Sequence, residues 1–333
     1  MIFHPTILAL FTGSIIVSFM ILYSASYAVQ ILRRWDLKSG SELQLVLERK
    51  TYLISTLLAY AFVFQLLSFF LFIFSADQLH TFFVGAMCAA GSLYVNSYGY
   101  PTLIFKLVNF LLAGVWLIFN RVDNTGYDYP LIKKKYRLFM LLVPLILFET
   151  WLQGNYFLRL NPDIITSCCG TLFSADSNPV ASELSSISSI NFIMIFFYAT
   201  VSLAVISGVI FFLKGKGAGF FSGVSILAFI TSAVSIFSFI SLYIYEMPTH
   251  HCPFCMLQQE YGYIGYPLYL TLLGGTILGT SVGILSPFKK IESLSRTLPS
   301  LLRKLALVSA GLFFAFLCIV TIRILLSNLI LNG

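Results

Sequence analysis

Six cysteines are unevenly placed along this 333-residue chain. Two stand in His250-His251-Cys252-Pro253-Phe254-Cys255, where a loop runs into an apolar stretch, and two are adjacent at Cys168-Cys169. A two-residue spacer lets both sulfurs of Cys252 and Cys255 close a small ring that opens and closes readily, which is thiol–disulfide chemistry. The same thiols, with His250 and His251 beside them, are also a donor set for copper, mercury or zinc. Spacing alone leaves both open, together with a static disulfide. Proline is favoured at a first helical position, so Cys252 is expected at the start of the following helix. Free N–H groups and the helix dipole there favour a thiolate. The expected division of labour is an exposed, reactive Cys252 and a more buried Cys255.

Adjacent cysteines close a disulfide only through a strained ring, and strained disulfides are labile. Cys168 and Cys169 therefore suit exchange with the Cys252/Cys255 pair, or a bridge pinning two loops together. Cys88 and Cys318 lie in apolar segments and read as small packing residues. No HxxxH or CxxCH spacing occurs, which excludes zinc-protease and c-type haem readings. His250 and His251 are either metal ligands or polar loop residues. Glu149 is an acid well inside an apolar run, flanked downstream by Trp151, Gln153 and Asn155. It is a candidate to accept or relay the proton released by thiol oxidation, or a protonated acid bonded to a neighbouring helix. Tyr261, Tyr263, Tyr266 and Tyr269 form an interfacial belt or, with Gln258, one wall of a quinone headgroup site.

The elements that position these residues follow from composition. The chain is 58% hydrophobic and 10% charged, with a mean hydropathy of +0.90, against about 25% charged for a soluble domain. Apolar runs long enough to cross a bilayer recur throughout. The expected fold is all-α and polytopic, with eight spans near 6–31, 51–75, 101–120, 138–157, 190–213, 219–245, 262–285 and 305–328. Short loops on one side hold 17 of the 20 Lys and Arg residues, which marks the inner face and puts both termini and the cysteine loops outside. This bias, and the lack of aromatics among the basic stretches, argue against a nucleic-acid partner. The start of the chain lacks the cationic region of a cleavable signal, so its first apolar run is expected to be retained. Residues 78–97 are apolar enough for a ninth crossing. That would reverse the charge rule, and Gly85, Gly91, Asn96 and Gly99 weaken it, so a re-entrant or surface helix is expected.

These residues resemble the membrane thiol oxidoreductases of the VKOR and DsbB type. Residues 138–285 supply four spans, with Cys168-Cys169 in the first outer loop and Cys252/Cys255 opening the fourth. The order is similar to VKOR, and the string Cys252-Pro-Phe-Cys-Met-Leu-Gln258 is similar to DsbB. The resemblance implies a four-helix thiol bundle over 138–285, with N-terminal helices over 1–137 and a basic loop plus last helix over 286–333. It implies a quinone acceptor and exchange with a thioredoxin-like or thiol-bearing protein on the outer face of a plasma (prokaryotic inner) membrane. The rival reading is a soft-metal carrier or assembly factor using the same cysteines, and a third is a non-catalytic subunit with cross-linked loops.

Overall fold

The computed structural model describes residues 4–36, 41–126, 128–166 and 190–329. Eight helices are long and apolar enough to cross a membrane. They are α1 (Pro5–Arg34), α2 (Glu42–Gln78), α4 (Gly99–Asp123), α5 (Ile132–Leu158), α6 (Ile190–Lys214), α7 (Ala218–Tyr245), α8 (Gly265–Leu285) and α9 (Leu298–Leu326). The short α3 (Ala89–Tyr94) follows a 3-10 turn at Leu79–Phe82. No strand occurs among the described residues. Apolar side chains clothe these helices on most faces, so their backbones must satisfy their own hydrogen bonds. Residues 78–97 form turns and the six-residue α3, too short for a crossing.

The chain divides into two compact units. The first holds residues 1–76, 93–164 and 288–298. Here α1 and α4 pack on α5, around Ile21, Leu58, Phe62, Trp116, Phe139 and Ile146. The second holds residues 77–92, 165–287 and 299–333. Here α7 packs against α6 and α8. The approach is close because glycines meet serines: a Cβ at Gly279 or Gly283 would strike Ser225 or Ser222. Small residues are what lets such helices touch without a hydrophobic drive between them. Ser309 of α9 adds a hydrogen bond to the Gly275 carbonyl at 2.7 Å. In this division α5 lies with α1 and α4 in the first unit, and α6 to α8 and nearly all of α9 lie in the second.

Near its end α7 widens into a π-helical turn at Ile236–Ile240 before a last α-helical turn, Ser241–Tyr245. The widened turn ends five residues before Tyr245.

Candidate functional site

In the second unit three sulfurs converge. Cys88, Cys252 and Cys255 place their Sγ atoms within 4.8 Å of one another, and all three residues are buried. Cys88 Sγ lies 3.4 Å from Cys252 Sγ. Cys88, read above as packing, is thus part of the thiol group. The turn between α2 and α3 carries it there. Gly85 makes this turn possible: its φ is +86°, and a Cβ would collide with the Thr166 carbonyl. Thr166 in turn donates its N–H to the Val84 carbonyl at 2.9 Å.

The segment 246–264 is not the helix start that Pro253 suggested. Cys255–Leu257 and Gln259–Tyr261 are single 3-10 turns, and α8 begins only at Gly265. Turns this short carry little dipole. The loop is instead held by side chains. Tyr245 donates its hydroxyl to the Cys252 carbonyl at 2.5 Å and accepts from the Met256 N–H at 2.9 Å. Tyr269 donates to the Pro253 carbonyl at 2.5 Å. The expected exposed first cysteine is also corrected: Cys252 is 1% accessible, Cys255 5% and Cys88 0%.

Gln258 clamps the Cys88 turn to the Cys252 loop. Its amide donates to Asp77 Oδ1 and to the Met87 carbonyl, both at 3.0 Å. Asp77 Oδ1 also accepts the Ala89 N–H at 3.2 Å. Cys88 is therefore gripped through both chain neighbours, Met87 and Ala89.

The sulfurs polarise one another. Cys252 is held well below the ordinary thiol range because Cys255 and then Cys88 direct S–H hydrogen bonds at it, and these outweigh its burial. Cys255 is pushed up because its proton is held in that bond to Cys252 and in contact with Cys88, with burial adding to the effect. In both residues the leading cause of the shift is thus another sulfur of the group.

The histidines lie outside the sulfur group. His251 Nδ1 faces the Phe237 carbonyl at 2.8 Å. The His250 ring stands edge-on to Tyr245 with centroids 4.5 Å apart. Burial, and then the neighbouring His251, lowers its pKa. Tyr261 packs edge-on against Tyr245 at 4.7 Å, and burial raises its pKa. Tyr266 neighbours Tyr263 at 6.2 Å. Gln258 Nε2 is engaged in the clamp. Cys168 and Cys169 lie outside the described residues. Cys318 is partly exposed on α9 and stands apart from the other thiols.

Glu149 belongs to the first unit and has a different environment. Lys106 Nζ meets its Oε1 at 2.7 Å. Asn109 Nδ2 donates to Oε2 at 2.6 Å, and Gln65 Nε2 donates to the same oxygen. Lys106 also donates to Ser68 Oγ at 3.3 Å. A second buried pair joins Lys135 to Asp123 at 2.6 Å, with Asn120 and Ser55 each accepting from Lys135 at 3.2 Å. Neither Lys106, inside α4, nor Lys135, inside α5, stood out in the sequence. A cation inside an apolar run demands a partner, and Glu149 was already in view. The signal near Cys88 was the pair Gly85 and Gly91, which weakens the segment as a membrane helix.

Compared with known proteins, the chain matches no family model, no curated protein and no solved structure.

Proposed function

We propose that the chain is a membrane-embedded thiol–disulfide oxidoreductase with Cys252 and Cys255 as its redox pair. The observation that carries this reading is the third sulfur, Cys88, 3.4 Å from Cys252. Exchange needs a thiol within reach of a disulfide sulfur, and Cys88 is such a neighbour. Cys88 attack on a Cys252–Cys255 disulfide would form Cys88–Cys252 and release Cys255. The proton leaves Cys88 and is recovered by Cys255, with no net electron change. Net turnover takes two electrons and two protons from a dithiol of a thioredoxin-like or other thiol-bearing protein on the outer face. A two-electron acceptor of the quinone class removes them within the bilayer.

Membrane insertion with the thiol segments outward is supported by charge at the helix ends. Arg33 and Arg34 lie in the last turn of α1, Lys214 in the last turn of α6, and Lys289 and Lys290 follow α8. The Cys88 turn and the Cys252 loop lie at opposite helix ends from these, and basic ends stay on the inner side. On this reading residues 78–97 re-enter or rest at the outer surface of a plasma membrane. Cys168 and Cys169 keep the exchange role with a partner thiol on this reading, because adjacent cysteines close only a strained, labile disulfide.

The test is the thiol state of the full chain in lipid, read by alkylation and mass spectrometry. Adding a soluble quinone should convert Cys252 and Cys255 to a disulfide, and Cys255→Ser should accumulate a Cys88–Cys252 bond instead. Thiols that stay reduced under quinone in the wild type would sink the reading.

A further inference from the structure

We propose that the reduced sulfurs of Cys88, Cys252 and Cys255 form a three-coordinate site for a soft, thiophilic cation of the copper(I) class. The inference does not rest on the redox reading. A disulfide needs two sulfurs, whereas an ion in a plane needs three, mutually close and facing one point.

The size of the triangle fits. With metal–sulfur bonds of about 2.3 Å, three sulfurs around a planar ion stand about 4.0 Å apart. The observed separations run from 3.4 Å for Cys88/Cys252 up to the 4.8 Å limit on the group. An ion would draw the sulfurs together or apart by no more than several tenths of an ångström.

The donor set selects the ion class. Zinc prefers four ligands in a closed site, and among the described residues no imidazole or carboxylate joins these sulfurs. His251 is turned to the Phe237 carbonyl. The hydroxyls of Tyr245 and Tyr269 are engaged with backbone carbonyls. Sulfur-only donors favour copper(I) over the harder ions. The outer partners needed to fix such ligands are present on both arms. Asp77 and Gln258 hold the chain on each side of Cys88. Tyr245 ties the Cys252 carbonyl to the Met256 N–H.

The experiment uses the full chain in detergent, reduced and kept free of oxygen. Copper(I) is titrated against a coloured copper(I) chelator, and the copper-loaded protein is studied by X-ray absorption. One equivalent of copper should bind with three sulfur neighbours at about 2.3 Å and no nitrogen. Cys88→Ser should weaken binding at least tenfold and leave two sulfurs. Cys318→Ser and the double variant Cys168→Ser/Cys169→Ser should bind as the wild type does. Absence of stoichiometric copper would overturn the proposal. So would nitrogen in the wild-type copper shell, tighter retention of zinc(II) than copper(I), or loss of binding in the Cys168/Cys169 variant. The wild-type spectrum decides the matter even if Cys88→Ser fails to fold. Copper bound without quinone-driven oxidation leaves this site standing and removes the redox reading. Oxidation without copper binding does the reverse.

Discussion

The Glu149 centre of the first unit and the sulfur centre of the second solve burial in opposite ways. Glu149, Lys106, Asn109 and Gln65 all project from regular helices. Each charge is met by an opposite charge, and amide donors take up the remaining acceptor positions. The three cysteines instead sit on irregular backbone, positioned by a glycine turn, two tyrosine hydroxyls and one glutamine. A fixed ion pair can rest on stiff rods because nothing about it has to change. Thiols that exchange bonds or admit an ion need backbone whose position side chains can adjust. Buried and hydrogen-bonded alike, the two centres differ in the backbone that carries them, regular helix in one and turns or loop in the other.

Removing one half of the ion pair should break the comparison hardest. Glu149→Leu leaves the Lys106 ammonium buried without its partner and should destabilise the protein by about 3–5 kcal/mol. Lys106→Met with Glu149→Leu should recover most of that loss. Chemical denaturation of the singles and the double in detergent gives the cycle, and a double variant as weak as the singles would show that the pair is not the stabilising unit. The sulfur centre should be more local. Gly85→Val forces a β-branched residue to a φ of +86° against the Thr166 carbonyl, with an expected loss of roughly 1–3 kcal/mol. Oxidative formation of a Cys88–Cys252 bond should slow in parallel. An unchanged cross-linking rate would detach this turn from the thiols.

Asp77→Ala removes the acceptor shared by Gln258 and the Ala89 N–H, for about 1–2 kcal/mol of stability. Its sharper readout is Cys88 reactivity, which should rise toward a small alkylating reagent while that of Cys318 stays level. The smallest effect is in pH. Cys252 should alkylate with a midpoint below the ordinary thiol value of about 8.5, and Cys255 well above it. Cys255→Ala should raise the Cys252 midpoint more than Cys88→Ser does, following the order of the two hydrogen bonds. The linkage has two signs. The lowered Cys252 contributes stability present above about pH 8.5 and lost as pH falls through its folded value. The raised Cys255 contributes stability present below about pH 8.5 and lost as pH rises through its folded value. Stability governed by this pair should therefore peak near the ordinary thiol value. A monotonic profile would show that the sulfurs are not coupled as described.

The helices were legible because length and apolarity suffice to specify them. Every run read as a span has a helix over it, with ends displaced by up to nine residues, as at Glu42 against the expected 51. Cys252 and Cys255 were legible from spacing, but their backbone was not. Pro253 suits a helix start, yet the tyrosine hydroxyls hold that segment in separate turns. Such contacts, from Tyr245 and from Tyr269 sixteen residues beyond Pro253, leave no mark on local sequence. Cys88 was hidden for a related reason: its partner lies 164 residues away. Lys106 was readable in principle, since an isolated cation in an apolar run is itself a signal.

The π-helical turn at Ile236–Ile240 gives α7 one surplus residue before Tyr245. Such turns behave as single-residue insertions in an α-helix. Deleting Ser238 would let the segment relax to ordinary winding and leave the helix long enough to cross a bilayer. The angular register beyond it would shift by about 100°. The Tyr245 hydroxyl would swing off Cys252 and Met256, dismantling the loop with no cysteine touched. In this helix the reading frame of the face, more than the identity of any one residue on it, decides whether the sulfurs meet.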